Sequence, residues 1–439
     1  MKLVFRIFLV FAVLTSTVFA SEYKPAERNA VEFIERGGLP NFFKKAKSGK
    51  EITIVYFGGS ITAQQGWRLQ SETYFKKRFP NASFKAIHSA IGGTGSLLGT
   101  FRVQRDVIAY NPDLVFIEFA VNDSGQKPAN IRNTMEGLIR QIWKANPKTD
   151  ICFVYTVTDN ERNLPPLLKG KMYESETVME DIADHYKIPS INFGVEIAKL
   201  VNENKLIMKA PGGVMTAVAG DILNEDAIKL KDNQGRIIFA KDGVHPYPST
   251  GHILYTRTLI KSFEKMENKK HPAKHKLVAP LSADNFERAT RIDSTDSRIK
   301  YSGNVTDANF KHFKRSIDSL KDMQVNSSMK FKVKSKSLFV FHVMGQHGAE
   351  IEVYIDGKKH STFRTVDKHS TWARLQITRL FDFPEEKIRE VELRVSDKKL
   401  NKRNFLSEAN KKHFDKYKAE YDAYIFKPSC IMFVGEILD

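Results

Sequence analysis

Apolar runs of strand length alternate with amphipathic segments of helical period between residues 51 and 265. This rhythm is typical of parallel strands that helices cover on both faces of a sheet. The predicted strands cover residues 52–57, 84–91, 114–119, 151–156 and 190–193. The predicted helices cover residues 69–78, 101–110, 131–145, 175–186, 195–202 and 251–266. The pattern therefore predicts a three-layer α/β domain of flavodoxin-like type, in which a ligand binds beyond the carboxyl ends of the strands.

The pattern changes after residue 265. Residues 266–280 are basic, contain two prolines and show no period, so we expect a linker there. Shorter segments of alternating polarity follow, and they predict an antiparallel, jelly-roll-like β-sandwich over residues 281–439. Its predicted strands include residues 329–333, 351–355, 375–378 and 391–395, and the charged residues 397–421 are expected to form a surface helix. The aromatic residues Phe339, Phe341 and Trp372 fit the core of this domain first and a sugar-binding platform second.

The first twenty residues have the pattern of a secretory signal peptide. Lys2 and Arg6 precede an apolar stretch that ends in small residues at Ala20, which predicts cleavage after Ala20. The first domain is then expected to cover residues 21–265. The alternative, an uncleaved membrane anchor, calls for a longer apolar run. No second segment of the sequence is apolar enough to cross a bilayer. We therefore expect export to the periplasm or the extracellular space, with no transmembrane segment in the mature chain.

The positive charge of the chain favours polyanions as binding partners. The 439 residues include 69 Lys and Arg against 51 Asp and Glu, which gives a formal charge of +18. Such a surplus favours contact with nucleic acid, anionic lipid or acidic polysaccharide, and export argues against nucleic acid. Cys152 and Cys430 are the two cysteines, so the sequence excludes a disulfide framework and a Cys-rich zinc module. Cys152 lies in an apolar run and is interpreted as a core residue.

Ser60 is the first candidate for chemistry. It follows the first predicted strand in the segment GGSIT at residues 58–62, where two glycines allow a sharp turn at the edge of the sheet. A serine in such a turn is a candidate nucleophile if a base reaches it. Two alternatives remain at this point. Ser60 could cap the next helix, or the glycines could bind phosphate, although the Lys of a Walker loop is absent.

Asp242 and His245 supply a candidate base. They lie three residues apart in the segment DGVHP at residues 242–246, just before the last predicted helix. This spacing lets the carboxylate accept from one imidazole nitrogen while the other nitrogen takes a proton from serine. A structural ion pair or half of a metal site are the alternatives, but no further His or Cys lies at ligand spacing nearby. Together with Ser60, the pair predicts a catalytic triad.

Two segments are candidates for binding an oxyanion. IGGTGS at residues 91–96 follows the second predicted strand, and its glycines allow a substrate to approach the backbone closely. Asn122 follows the third predicted strand, where its amide side chain can donate a hydrogen bond. A glycine-rich turn and an asparagine helix cap are the alternative interpretations.

These segments, in this order, resemble the SGNH hydrolase superfamily, also called the GDSL esterases and lipases, over residues 52–266. The resemblance implies that Ser60 is the nucleophile, that Asp242 and His245 complete the triad, and that no metal or organic cofactor takes part. It also implies an oxyanion hole formed by the amides of Ser60 and Gly93 and by the side chain of Asn122.

The block of glycines leaves one assignment open, because Gly92 or Gly95 could replace Gly93 as the amide donor. The chain also departs from the family pattern at two positions. Gly59 stands where the family name has Asp, and Ala120 stands where Gly is usual. Neither change removes a catalytic group.

The resemblance and the predicted export together indicate a secreted serine esterase. We expect it to remove O-acetyl groups from a poly- or oligosaccharide, and the basic charge suits an acidic one. An SGNH-type O-acyltransferase acting on polysaccharide and a catalytically silent glycan-binding protein are the alternatives. Residues 210–240 either shape the substrate cleft or elaborate the surface.

Four residues near the candidate site are hypotheses for sugar binding. Trp67 and Arg68 could offer a stacking face and a carboxylate anchor, with burial of the tryptophan as the alternative. Arg102 and Arg105 invite the same hypothesis, or they are solvated helix residues.

Overall fold

The computed structural model describes residues 23–216, 228–267 and 271–439. The predicted signal peptide at residues 1–20 lies outside the described residues. None of the helices within the described ranges has the length and apolarity needed to cross a membrane.

The first domain is built on a six-stranded sheet. Its strands are β1 (Phe33–Ile34), β2 (Glu51–Gly58), β3 (Ser83–His88), β4 (Leu114–Glu118), β5 (Asp150–Tyr155) and β6 (Ser190–Asn192). Their order across the sheet is β1-β6-β5-β4-β2-β3. Strands β2 to β6 are parallel, and β1 pairs with β6 in the antiparallel direction. The five parallel strands have the predicted flavodoxin-like order, which confirms the fold predicted for this domain.

Ten helices of the described residues accompany this sheet. They are α1 (Pro40–Lys47), α2 (Ser60–Ala63), α3 (Trp67–Arg78), α4 (Ser96–Asp106), α5 (Ala120–Asp123), α6 (Pro128–Ala145), α7 (Leu164–Leu168), α8 (Glu174–Tyr186), α9 (Gly194–Asn202) and α10 (Gly251–Met266). A parallel pair, β7 (Leu206–Lys209) and β8 (Ile237–Ala240), follows α9, and residues 217–227 between its strands lie outside the described ranges.

Three predicted boundaries are wrong, and all lie at the second strand and the helix after it. Strand β3 ends at His88 rather than at residue 91, and α4 begins at Ser96 rather than at residue 101. The carboxylate of Asp123 accepts a hydrogen bond of 3.0 Å from the amide of Ser96 and so caps α4 early. Residues Ile108–Tyr110 form a separate 3-10 turn rather than the end of the helix.

The described part of the predicted linker packs against the first domain. Its described part, residues 271–280, has no helix or strand. The ring of His275 stacks on Trp143 with centroids 4.7 Å apart, and its Nε2 lies 2.8 Å from a carboxylate oxygen of the buried Asp150. These contacts hold residue 275 against the first domain.

The second domain is an antiparallel sheet. Its strands are β9 (Ala289–Asp293), β10 (Lys300–Ser302), β13 (Ser328–Met344), β14 (Glu350–Ile355), β15 (Lys358–Arg364), β16 (Arg374–Val395) and β17 (Lys427–Leu438). A small pair, β11 (Val305–Asp307) and β12 (Lys321–Met323), and the helix α11 (Glu408–Lys416) complete the domain. The antiparallel second domain is thus confirmed, and α11 lies in the charged segment where a helix is predicted.

One strand assignment in this domain is wrong. The segments predicted at residues 375–378 and 391–395 belong to the single strand β16, which pairs along its length with β13. The pairing shifts register near Ser335 and again between Leu338 and Phe339. Such irregularities bend a strand, so short apolar patches at its two ends look like separate strands in the sequence.

A shared apolar core joins the two domains. Leu98 and Phe101 of α4 pack against residues of the second domain that include Phe286 and Phe339. The rings of Phe101 and Phe339 have centroids 5.5 Å apart. Phe339 and Phe341 are buried, as predicted, whereas Trp372 is 54% exposed and does not belong to the core.

Candidate active site

Ser60 lies where the chain turns from β2 into the short helix α2. The strand β2 is almost wholly buried, so the turn stands at the carboxyl edge of the sheet on a rigid support. The amide of Gly59 donates to the carbonyl of Glu118 at 3.2 Å, which ties the turn to the neighbouring strand β4. The fold thus presents the Ser60 hydroxyl at the edge where ligands of this type of sheet bind.

A continuous hydrogen-bond chain links the three residues of the predicted triad. Nε2 of His245 lies 2.9 Å from Oγ of Ser60, and Nδ1 of the same ring lies 2.7 Å from Oδ2 of Asp242. Ser60 and His245 are 185 positions apart in the sequence, so the fold brings them together. A neutral imidazole with its proton on Nδ1 would accept from the serine hydroxyl in this geometry.

The turn that carries His245 fixes the Asp242 carboxylate. Its second oxygen, Oδ1, accepts hydrogen bonds of 2.8 Å from the amides of Val244 and His245. Gly243 adopts a φ of +78°, and its carbonyl accepts a hydrogen bond from the amide of Asp159. Burial opposes ionisation of Asp242, but the hydrogen bonds from His245 and Val244 outweigh it and lower the pKa to about 2. The carboxylate is therefore charged at neutral pH.

Asn122 lies in the one-turn helix α5, directly against the nucleophile turn. Its Oδ1 faces Gly59 so closely that a Cβ atom at position 59 would lie 1.9 Å away. Asn122 also lines a cleft between the two domains. The structure thus places the amide side chain of Asn122 against the turn that carries Ser60.

The glycine segment at residues 91–96 runs along β2 toward Ser60. The amide of Ile91 donates to the carbonyl of Gly58 at 3.0 Å. A Cβ atom on Gly92 would lie 3.6 Å from Cβ of Ser60, and Gly93 has a φ of +72° and lines the cleft. Gly95 instead packs against Asp123, because a Cβ atom there would lie 2.1 Å from Oδ1 of that residue. Gly92 is therefore the glycine of this segment that lies against Ser60, and all three glycines line the cleft.

Two buried carboxyl groups near the site, those of Glu118 and Asp123, were not predicted from the sequence. Glu118 accepts hydrogen bonds from the hydroxyls of Thr62 and Thr156, and burial raises its pKa to about 7. Burial also raises the pKa of Asp123 to about 7. The signal for Glu118 was present in the sequence, because an acidic residue ends an otherwise apolar strand beside the nucleophile turn.

His252 is a second feature that the sequence analysis missed. Its Nδ1 accepts from the amide of Trp67 at 3.1 Å, and its Nε2 donates to Oε1 of Gln64 at 3.3 Å. Gln64 in turn donates to the carbonyl of Pro246, next to His245. Burial, together with the charges of His245 and Arg68, lowers the pKa of His252 to about 3. This neutral ring therefore connects the nucleophile segment with the loop of His245.

A cleft of about 860 Å³, here called the interdomain cleft, opens beside Asn122 and Gly93. Both domains line it. Among its lining residues are Gly92, Gly93, Asn122, Gln126 and Asn130 from the first domain and Phe313, Phe339, Arg374, Gln376 and Arg379 from the second. Amide, guanidinium and aromatic groups thus face one another across a space large enough for several sugar rings.

The four residues considered for sugar binding are buried or paired with acidic residues in the structure. Trp67 is completely buried beneath the sheet edge, so it offers no stacking face. Arg102 is also buried and bonds to Asp106, with its guanidinium 4.1 Å from the ring centre of Phe57. Arg105 pairs with Asp106 and Asp318. Arg68 is buried as well.

A metal site of protein ligands is not apparent here. Within the described ranges, no group of three or more His, Cys, Asp or Glu residues is arranged to hold a metal ion.

The sequence matches a known family model over the residues that form this site. Residues 56–246 match the model of the GDSL-like lipase/acylhydrolase family. This match confirms the predicted resemblance to the SGNH hydrolases, and the matched range contains Ser60, Asn122, Asp242 and His245. The first domain is therefore similar to the proteins that this family model describes. A comparison with curated proteins finds no match.

Two solved structures are similar to nearly the whole chain. Both are of CEX, a two-domain esterase active on acetylated mannans, and one was co-crystallized with mannopentaose. Each is 21% identical to this chain with a TM-score of 0.67, and covers 93% of this chain and 98% of the other. The likeness establishes that both domains, in their order along the chain, belong to a known two-domain fold.

Proposed function

We propose that the protein is an exported serine esterase that removes O-acetyl groups from a poly- or oligosaccharide. The observation that carries the proposal is the hydrogen-bond chain from Ser60 through His245 to Asp242. In this assignment residues 1–20 direct export, residues 21–265 carry the chemistry, residues 266–280 connect the domains and residues 281–439 form an accessory domain. The first domain's match to a family of lipases and acylhydrolases supports the same reaction class.

The first half of the reaction forms an acyl-enzyme. Nε2 of His245 takes the proton of Ser60 while Oγ attacks the ester carbonyl. The amides of Ser60 and Gly93 and the side chain of Asn122 donate to the oxyanion that develops on the carbonyl oxygen. Collapse of the tetrahedral intermediate breaks the bond to the sugar oxygen, which receives the proton from His245. The products of this half are acetyl-Ser60 and a free sugar hydroxyl.

The second half consumes one water. His245 accepts a proton from the water, whose oxygen attacks the acetyl carbonyl, and the proton then returns to Oγ of Ser60 as acetate leaves. Asp242 stays ionised, holds the proton of the imidazole on Nδ1 and stabilises the cationic ring in both halves. The hydrogen bonds that lower its pKa to about 2, against the opposing effect of burial, suit this role.

A polysaccharide substrate is supported by the shape of the site. The interdomain cleft leads to Gly93 and Asn122 and carries amide side chains and aromatic rings from two domains. Such a lining suits the hydroxyls and the apolar faces of sugars. The shared fold with an esterase active on acetylated mannans agrees with this substrate class.

The proposal is tested by the products that form from acetylated xylan, mannan and pectin. We expect free acetate as the acetyl product, also when an unacetylated oligosaccharide is added as acceptor. Transfer of the acetyl group to the acceptor in place of release would instead assign an acyltransferase. Binding of the glycans without either product would assign a silent glycan-binding protein.

A further inference from the structure

Three donor side chains lie near one another at the edge of the sheet, outside the triad and the interdomain cleft, since the charges of Arg68 and Arg315 both act on His88. Arg68 belongs to α3, His88 ends β3, and Arg315 comes from the second domain. Nη2 of Arg315 lies 2.9 Å from Nδ1 of His88. Because an arginine only donates, Nδ1 accepts and the imidazole proton lies on Nε2. The cluster thus presents donors and no acceptor.

Arg68 has the unusual property of a buried charge without a counter-ion. Its residue surface is only 8% exposed, and its Nε is buried without a hydrogen-bond partner. Within the described ranges, its guanidinium takes part in no ion pair. Glu72, the carboxylate whose charge acts on Arg68, is itself bound to Lys76 at 2.7 Å. A buried arginine is normally paired, since an isolated buried charge is costly.

One ring nitrogen of His88 also lacks a partner. Its Nε2 is buried and makes no hydrogen bond. Burial and the charges of Arg68 and Arg315 lower the pKa of His88 to about 3, so the ring is neutral at neutral pH and Nε2 carries a donor proton. Two unpartnered donors on neighbouring elements, with a third side chain supplied by the other domain, are the arrangement expected of an oxyanion site.

The cluster is close enough to the nucleophile to contact the same substrate. The chain continues from His88 through Ser89, whose amide bonds to the carbonyl of Tyr56, to Ile91, whose amide bonds to Gly58. Three residues of chain span at most about 10 Å, so His88 lies within about 10 Å of Ile91. Arg68 follows Trp67, whose amide bonds to His252 in the network that leads to the loop of His245. A short oligosaccharide spans such a distance.

We propose that Arg68, His88 and Arg315 form a subsite for an oxyanion substituent, a carboxylate or a sulfate, on the acetylated glycan. This inference rests on the proposed esterase function and deepens it by naming an anionic substrate class. The guanidinium of Arg68 and the Nε2 of His88 donate to the anion, and Arg315 adds charge and holds the His88 ring. Loss of either arginine lowers kcat/KM for anionic substrates about tenfold, which is the effect of one charge-assisted hydrogen bond.

The test measures binding separately from catalysis. Ser60→Ala protein is titrated with unacetylated oligogalacturonate, a sulfated oligosaccharide of equal length and a neutral xylo-oligosaccharide, at about 0.15 M ionic strength so that weak surface attraction is screened. We expect a saturable rise in melting temperature with at least one anionic ligand and a smaller one with the neutral ligand. The anionic ligand that gives the rise identifies the source of the oxyanion.

Variants decide whether the cluster is responsible. Arg68→Gln and Arg315→Gln should each abolish most of the anion-dependent rise, whereas Arg403→Gln, which removes an exposed arginine paired with Asp415, should keep it. Arg315 is exposed, so its replacement leaves folding intact. Equal rises in all variants, or no rise with either anion, would overturn the subsite. Cleavage of a neutral aryl acetate by the wild type is assayed in parallel, so that a failure of the esterase proposal is seen independently.

Discussion

A Cβ atom on Gly59 would lie 1.9 Å from Oδ1 of Asn122. The nucleophile turn and the amide side chain of Asn122 therefore approach each other only because residue 59 has no side chain. Gly59 is also the position at which the chain departs from the pattern in the family name. The departure thus has a steric explanation in this molecule.

We predict that Gly59→Ala displaces Asn122 and lowers kcat on a small aryl acetate by about 10²-fold, since one oxyanion donor contributes a factor of this size. The steady-state rate of the purified variant measures the effect. In an Asn122→Ala background, the same Gly59→Ala change should cost little more, because the clash is gone. Equal losses in both backgrounds would show that Asn122 is not the cause.

Asp242→Asn should lower kcat by about 10²- to 10⁴-fold, because an amide stabilises neither the correct imidazole tautomer nor the cationic ring. Asp307→Asn, at an exposed ion pair with Lys321, is the matched control and should leave kcat unchanged. A variant at position 242 that keeps most of its rate would contradict the assigned role.

The lowered pKa of Asp242 also predicts a pH dependence of stability. A carboxylate whose pKa falls from 3.8 to about 2 on folding stabilises the folded state above pH 4, and the contribution is lost as the pH falls toward 2. The free energy of unfolding of the wild type, minus that of Asp242→Asn, should therefore decrease between pH 4 and pH 2. Urea titrations at several pH values measure this difference, and a constant difference would contradict it.

Glu118 predicts the opposite dependence. Burial raises its pKa from 4.5 to about 7, so the folded state binds the proton more tightly and loses stability as the pH rises through this window. The shift corresponds to about 3 kcal/mol. Glu118→Gln, which remains neutral, should gain about this much relative to the wild type between pH 4 and pH 8. Asp123 is present in both proteins, so its own titration cancels in the comparison.

The contact between the domains predicts a further effect. Phe101→Ala should destabilise the protein by about 3–5 kcal/mol, since it empties a site in the shared core. It should also speed proteolysis within residues 271–280, where the chain passes between the domains. Phe331→Ala, in the core of the sheet itself, should cost a similar amount without increasing cleavage there. Equal cleavage in both variants would contradict the coupling of the domains through Phe101.

The sequence predicted those parts of the molecule that depend on local pattern. The strand from residue 52 could be predicted because its residues are apolar in succession. Ser60 could be predicted as a candidate nucleophile because it comes directly after that strand and two glycines. Asp242 and His245 could be predicted as an interacting pair because they lie three positions apart in one turn. Packing between residues that are distant in the sequence could not be predicted. The early start of α4 depends on the Asp123 carboxylate, and the charge that surrounds Arg68 depends on Arg315 of the other domain.

The exposure of individual aromatic residues also could not be predicted from the sequence. Trp67 and Trp372 differ little in local pattern, yet the first is completely buried and the second is 54% exposed. Their difference arises from which element covers each side chain, and this depends on the order of strands and the docking of the domains.

The central claim is that Ser60 carries out hydrolysis of carbohydrate acetyl esters. The measurement that tests it most directly is the rate of acetate release from acetylated polysaccharides by the wild type and by Ser60→Ala, with Ser361→Ala at an exposed strand position as the control. We predict release by the wild type and by Ser361→Ala, and a rate at least about 10³-fold lower for Ser60→Ala. Undiminished release by Ser60→Ala would contradict the assignment.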